Sequence, residues 1–485
     1  MTGAFDGLRA VVIGFGVSGR AAASALSDEG AAVTVTESRP VEAVVAGGAG
    51  VGDSAARLGD VPPNIRLHAG GHRPEHLDGA DVVVVSPGVP ENAPVLQWAQ
   101  ERGLPIWSEL EVGARLCTVP FVAVTGTNGK TTTVELIAAM MRASGLSAVA
   151  CGNVGHPFSL AAREAHDALA VEASSFQLRF QETLHPRVSV LLNLAPDHLD
   201  WHGSFEAYAA AKARIFARQS APDVHVGNRD DIEGSRVSAK APCDVRWFRW
   251  GAPQEGETGA TPGGVLSAMQ PTNRPETNGG ELGDGTFVGR PTSLSPAFVM
   301  DAAAAAAAGL SFGLPIEAVR HAIESFTPLP HRGSVVAELG AVRFVNDSKA
   351  TNPHAALAAL QGLDNVVLIA GGLAKGIDLS PLAQAAPHLA AVIAIGASAP
   401  EIARIFDGLV SVDIATTMEE AVRMAFERAP SNGTVLLAPA CASQDMFRDY
   451  RERGERFAQA AASLAGSDRP LSAASLPRGK ERHGD

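Results

Sequence analysis

The run Thr125-Gly126-Thr127-Asn128-Gly129-Lys130-Thr131-Thr132-Thr133 has the chemistry of a phosphate cradle. Glycines let successive backbone N–H groups turn toward one anion, lysine adds a compact positive charge, and a threonine hydroxyl can hold a magnesium ion. The strict GxxxxGK[ST] pattern needs glycine at 124, where this chain has Val124, so the motif is the shorter GTNGKTT. A plain glycine-rich turn would explain the glycines but not Lys-Thr-Thr set between an apolar run and a helical one.

A second glycine motif, Gly14-Phe15-Gly16-Val17-Ser18-Gly19, follows the apolar run 9–13 and opens a helical stretch. In that context GxGxxG lets a diphosphate approach a helix N-terminus, and Glu37, ending the next apolar run, is placed for a ribose hydroxyl. The motif alone admits NAD, another diphosphate such as a UDP-sugar, or simple helix–sheet packing.

Two further apolar runs, 168–171 and 188–194, lead into Glu172-Ala173-Ser174-Ser175 and Asp197-His198-Leu199-Asp200, and Asn153 follows 148–151 in the same way. Ligands of open α/β sheets bind at such carboxyl ends, so Lys130, Glu172, His198 and Asn153 are expected to face one crevice. His198 and His202 also have the i, i+4 spacing of a zinc pair, although no third ligand accompanies them. The stretch 204–219 reads as a helix with Ser204 as its N-cap. Tyr208, Lys212, Ile215 and Phe216 fall on one stripe of it. A lysine on an apolar stripe either snorkels to water or is buried for its chemistry. Burial lowers the amine pKa and makes it nucleophilic enough to capture carbon dioxide as a carbamate.

These residues need α/β scaffolding, and the chain supplies its pattern: short apolar runs alternate with alanine-rich helical stretches, predicting largely parallel sheets. A length of 485 residues is too great for one core. Three units are expected. The first covers 1–116 and is Rossmann-like. The second covers 117–330, a P-loop ATPase-like parallel sheet with a Gly-, Thr- and Pro-rich surface insertion, partly disordered, at about 253–291. The third covers 331–485 and is again Rossmann-like, after a linker marked by Pro328, Pro330 and Gly333. The tail from about Ser467 reads as loose. The net charge of −13 argues against a nucleic-acid partner. Four scattered cysteines, Cys117, Cys151, Cys243 and Cys441, form no CxxC pair, which suits reduced thiols in a cytoplasm. No signal peptide is evident, and the tract 302–308 reads as a buried helix rather than a membrane span.

The chain resembles the Mur ligases over nearly its whole length. GTNGKTTT, VEASSFQL (171–178), DHLDWH (197–202) with AAKARIF (210–216), LPHR (329–332), NDSKATNP (346–353) and APACASQDMF (438–447) occur in the family's order and spacing. Among its members it is most similar to those adding D-glutamate; the ligases adding L-alanine share the GxGxSG start but not NDSKATNP. The resemblance implies a cytoplasmic enzyme, a monomer with no membrane partner, that uses ATP to join UDP-N-acetylmuramoyl-L-alanine to D-glutamate. It implies two magnesium ions, with manganese as a substitute.

Val17, Ser18, Glu37, Arg39, Ser86, Pro87, Gly88, Asn153 and Ser174 would then contact the UDP substrate. Gly126, Thr127, Asn128, Gly129, Lys130, Thr131 and Thr132 would bind ATP, together with Asp301, Arg332 and Asp347. Thr131, Glu172, His198 and a carbamylated Lys212 would hold metal, and Lys130, His198 and Lys212 would be catalytic. Lys349, Thr351, Lys375, Ser443 and Tyr450 would receive D-glutamate. In place of the family's His-Asn pair and further asparagine near the ATP base, this chain has Ala297-Phe298-Val299-Met300-Asp301, where Asp301 offers an acceptor to the adenine amino group.

Overall fold

A computed structural model describes residues 3–40, 65–269, 285–293 and 295–467. They form a mixed α/β architecture with three sheets, each mostly parallel. The chain divides into two compact units, Met1–Pro328 and Leu329–Asp485.

The first unit holds two sheets. The smaller is fully parallel, in the order Ile65–His68, Ala32–Thr36, Arg9–Ile13, Val82–Val85, Ile106–Ser108. Four consecutive valines, 82–85, are buried on both faces, as a covered parallel strand requires. The strand order reverses at Arg9–Ile13, so the crevice beyond its carboxyl end lies between the Gly14 turn and Ser86. Gly19 fits there because any side chain on it would overlap the Gly14 carbonyl.

The larger sheet runs Thr286–Gly289, Gly264–Ser267, Glu257–Thr261, Asp244–Trp250, Val224–Asn228, Val188–Leu191, Phe121–Thr125, Ala168–Glu172, Ala148–Gly152. Only the pairings made by Gly264–Ser267 are antiparallel. Helix Pro296–Phe312 lies against this sheet, with Ala302 to Ala308 all fully buried. Methyl-sized side chains let it approach on every face, and no helix among the described residues is long and apolar enough to cross a membrane.

The region 253–291 corrects the expectation of a surface insertion. Three of its segments extend the sheet, Glu257 and Thr258 are buried, and Val265 and Val288 are fully enclosed. Sheet pairing and the cover of helix Pro296–Phe312 override a composition that reads as loop. Residues 270–284 of that region, and the tail from 468, lie outside the described residues. Two boundaries also differ. The strand expected at 188–194 ends at Leu191, and its continuation leaves the sheet to bond the phosphate loop. The helix expected through 219 ends at Ala213 and tightens into a 3-10 turn at Arg214–Phe216.

The second unit carries one sheet in the order Ser334–Leu339, Val342–Asn346, Thr434–Leu437, Val366–Gly371, Leu389–Ile395, Val412–Ala415. The first two strands form an antiparallel hairpin and the rest are parallel. The carboxyl ends of Val342–Asn346 and Thr434–Leu437 are neighbours, pairing Asn346 with Leu437.

Candidate functional site

Three adjacent parallel strands of the larger sheet, Val188–Leu191, Phe121–Thr125 and Ala168–Glu172, deliver their following residues to one edge. From the central strand the chain turns through Gly126 and Gly129, both at positive φ, into helix Lys130–Ala143. Gly129 is the N-cap and makes no side-chain cap, as expected where N–H groups await an anion. Asn193 anchors the loop. Its Oδ1 accepts from the Asn128 N–H at 2.9 Å, its Nδ2 donates to the Asn128 carbonyl at 3.2 Å, and its own carbonyl accepts from the Thr127 N–H at 3.0 Å. Sequence reading passed over Asn193, although a polar residue just past a strand's carboxyl end was the available signal. Thr132 is buried and Thr131 partly so. Asp301, in helix Pro296–Phe312 immediately before its alanine tract, lies over the loop, so a methyl group on Gly129 would overlap its carboxylate.

Lys130 and Lys212 converge. The Lys130 ammonium donates to the carbonyls of Gly126 (2.8 Å) and Thr127 (2.9 Å), and the Lys212 amine donates to the same Gly126 carbonyl at 2.7 Å. Lys212 is buried, not snorkelling, with Nζ 4.7 Å from the centre of the Tyr208 ring. Tyr208, Ile215 and Phe216 are buried with it, as the stripe predicted, and Ser204 caps the helix. Burial, and then the charge of Lys130, push the Lys212 amine well below the ordinary lysine value.

Glu172 is buried at the end of its strand. Its Oε1 accepts from Asn153 Nδ2 at 2.9 Å, while its Oε2 is enclosed with no hydrogen-bond partner. A carboxylate oxygen in that condition is costly unless a cation meets it. His198 is half exposed at a left-handed φ of 53°, packed on Phe176 with ring centres 4.7 Å apart. Burial, opposed by Asp197 and aided by Lys130 and Lys212, keeps its imidazole below the usual value. His202 turns the other way, into the core, with Nε2 2.9 Å from the Ser175 hydroxyl. The zinc pair is therefore not formed, and no group of three or more His, Cys, Asp or Glu side chains is gathered for a metal among the described residues.

The crevice of the smaller sheet faces this region within the same unit. Ser86, Pro87 and Val89 line a narrow cleft with Phe176, Phe180 and Trp201, and the Trp201 indole N–H donates to the Val89 carbonyl at 3.1 Å. Val17 is exposed at the start of its helix, where Gly16 provides no side-chain cap and Ser18 is partly exposed. Glu37 is turned inward. Its Oε2 accepts from the Phe15 N–H (2.8 Å) and from Arg39 (2.9 Å). Burial would raise its pKa, but the bonds from Arg39 and Phe15 bring it down to about 2. The carboxylate so engaged orders the glycine turn. The Ser174 hydroxyl is occupied in a capping box with Gln177.

In the second unit, Asp347, Lys349 and Thr351 follow the strand Val342–Asn346, and Ser443 follows Thr434–Leu437. Lys349 Nζ lies 4.1 Å from the centre of the Tyr450 ring. Lys375 is exposed on the loop after Val366–Gly371, at a left-handed φ of 52°. Enclosure pushes the Asp347 carboxyl up to about 7, against the opposing pull of Arg332 and the Gly333 N–H. A raised carboxyl favours the fold fully below its ordinary value of 3.8, and that contribution is lost as pH rises through about 7. Asp347→Asn is therefore expected to raise the melting temperature at about pH 8 more than at about pH 5. Melting curves at both values check this, and an equal shift at both would contradict it.

Three family models match in chain order: the Mur ligase MurD-like N-terminal domain over residues 8–108, the Mur ligase middle domain over 124–257, and the Mur ligase glutamate ligase domain over 331–441. A protein of Frankia casuarinae and one of Thermobifida fusca, both named UDP-N-acetylmuramoylalanine--D-glutamate ligase, are each 40% identical to this chain. The first match covers 95% of both chains, the second 95% of this chain and 99% of the relative. Among solved structures, the UDP-N-acetylmuramate-alanine ligase of Thermotoga maritima shares the fold at a TM-score of 0.57 and 18% identity, covering 94% of this chain and all of that one. The chain belongs to the Mur ligase family, in the group whose named members are D-glutamate ligases.

Proposed function

We propose that this enzyme adds D-glutamate to UDP-N-acetylmuramoyl-L-alanine in an ATP-dependent, ADP-forming reaction of peptidoglycan precursor synthesis, acting in the cytoplasm as a monomer. The working arrangement is three domains, 1–116 for the UDP moiety, 117–330 for ATP and 331–485 for the amino acid. The observation carrying the reading is the meeting of Lys130, Lys212 and the unsatisfied Glu172 around the phosphate loop, in a chain 40% identical to named D-glutamate ligases.

The chemistry has two steps. A carboxylate oxygen of the L-alanyl terminus attacks the γ-phosphorus of ATP; the bond to the β,γ-bridging oxygen breaks, giving an acyl phosphate and ADP. The D-glutamate amine then attacks the acyl carbon, phosphate leaves with the C–O bonding pair, and the nitrogen loses a proton to give the amide. Phosphoryl transfer of this kind depends mainly on positioning and charge neutralisation. Lys130 would leave the Gly126 and Thr127 carbonyls to meet the phosphates, the loop N–H groups would hold them, and Asp301 would accept from the adenine amino group. Arg332 and Asp347 would serve ATP in the last domain. Val17, Ser18, Glu37, Arg39, Ser86, Pro87, Gly88, Asn153 and Ser174 would seat the UDP substrate. Lys349, Thr351, Lys375, Ser443 and Tyr450 would seat D-glutamate.

The residues present fit two magnesium ions, or manganese in their place. Glu172 offers an unsatisfied oxygen, Thr131 a hydroxyl and His198 an accessible nitrogen. Lys212 becomes a donor once its neutral amine bonds carbon dioxide and releases a proton, creating an anionic carbamate. The small number of protein carboxylates suits a site completed by that carbamate and by substrate phosphates. When bound, the ions neutralise charge on the transferring phosphoryl group.

The direct test is phosphate release from ATP with UDP-N-acetylmuramoyl-L-alanine and one amino acid at a time. Release is expected with D-glutamate and at background with L-amino acids. Release with L-amino acids alone would overturn the substrate assignment.

A further inference from the structure

The second unit contains a buried charge that the reaction above does not use. Arg453, on helix Tyr450–Ser467, is fully enclosed. Its Nε donates to the Ser348 hydroxyl (3.0 Å), its Nη2 to the Ser348 carbonyl (2.8 Å) and its Nη1 to the Cys441 carbonyl (3.0 Å). No carboxylate forms an ion pair with it among the described residues, and burial lowers its pKa to about 10. Desolvating a guanidinium for neutral acceptors alone is expensive, and an apolar side chain of similar volume usually serves stability as well. The residue is better explained by what its fork of donors holds in register.

What it holds are two loops. Ser348 sits between Asp347 and Lys349, and Cys441 two residues before Ser443. The loops leave the carboxyl ends of neighbouring strands, where the Asp347 N–H donates to the Leu437 carbonyl at 2.9 Å, and further out the Ala440 N–H donates to the Ala350 carbonyl at 2.9 Å. Ala440 adopts a left-handed φ of 60°, a conformation that non-glycine residues keep only when their surroundings impose it. The Ser348 hydroxyl in turn donates a hydrogen bond to the Tyr450 carbonyl at 2.7 Å, linking the loops to the residue whose ring lies beneath Lys349.

We propose that Arg453 is a positioning residue for the incoming amino acid: by tying Ser348 to Cys441 it fixes the distance between Lys349 on one loop and Ser443 on the other. This rests on the assignment of those two residues to the amino-acid seat. Lysine can keep the charge at 453 but cannot supply three donors in a planar fork.

The test compares Arg453→Lys with wild type by steady-state kinetics in each of the three substrates, alongside thermal melting. The expected result is a KM for the amino acid raised roughly tenfold or more, with KM for ATP and for the UDP substrate within about twofold. Ser348→Ala removes one of the three acceptors and is expected to shift the same constant in the same direction by less, so the claim stays testable if Arg453→Lys folds poorly. Wild-type turnover with D-glutamate is the control. Its absence would count against the substrate reading, while the variant-to-wild-type ratio is taken with whichever amino acid the wild type accepts. A folded Arg453→Lys enzyme with an unchanged amino-acid KM, or one in which all three constants rise together, would overturn the proposal.

Discussion

Lys212→Ala is expected to reduce ligation on the order of 10²- to 10³-fold or more, the scale of losing one preorganised charge stabiliser at a phosphoryl-transfer site. The wild-type amine is buried, bonded to the Gly126 carbonyl and held well below its ordinary pKa by burial and by Lys130. Both influences favour the uncharged amine, the form able to attack carbon dioxide. The resulting carbamate would place negative charge beside the phosphate loop, where alanine leaves none. Lys212→Arg should be equally inactive, since a guanidinium stays charged and cannot be carbamylated. Millimolar acetate or bicarbonate should restore part of the alanine variant's rate by filling the vacated space with a carboxylate. Unimpaired turnover of a folded Lys212→Ala enzyme would remove the carbamate from the mechanism.

The second large effect is expected at Glu172. Glutamine keeps the size of the side chain and an oxygen for the Asn153 amide, but it puts a neutral group where the enclosed Oε2 stands. If that oxygen exists to meet a cation, Glu172→Gln should need about ten times more magnesium for half-maximal activity. Its rate at saturating metal should still fall on the order of 10²-fold. Thermal stability should be close to wild type, because the change removes a buried charge without opening a cavity. A magnesium titration of phosphate release decides it, and identical titration curves for the two proteins would show that Glu172 is not a metal ligand.

How far these features could be read from sequence depended on whether their cause was local. The phosphate loop is specified by its own glycines, lysine and threonines, and the strand and helix around it formed where expected. Lys212 was found because a charge on an apolar stripe contradicts its neighbours. The strands 257–261, 264–267 and 286–289 read as loop in sequence because Gly- and Thr-rich stretches become strand only through pairing with the sheet and cover by the alanine-rich helix. The inward turn of Glu37 and the capping role of Ser174 depend on partners that no spacing rule names. Arg453 was missed for a different reason. It lies in the charged run Tyr450-Arg-Glu-Arg-Gly-Glu-Arg, which resembles a solvated face. Yet Arg453, Phe457, Ala460 and Ala461 recur at i, i+4, i+7 and i+8, the periodicity that singled out Lys212, and all four are buried.

The helix Pro296–Phe312 has seven consecutive alanines with no exposed face. Such a rod can neither roll nor slide without driving a larger residue into a methyl-sized socket, since each step along it means about 1.5 Å of travel and 100° of rotation. The carboxylate immediately before the alanine tract, Asp301, is thereby clamped in register above Gly129. Heavier side chains in the tract would thus be felt at the nucleotide before they were felt in the sheet.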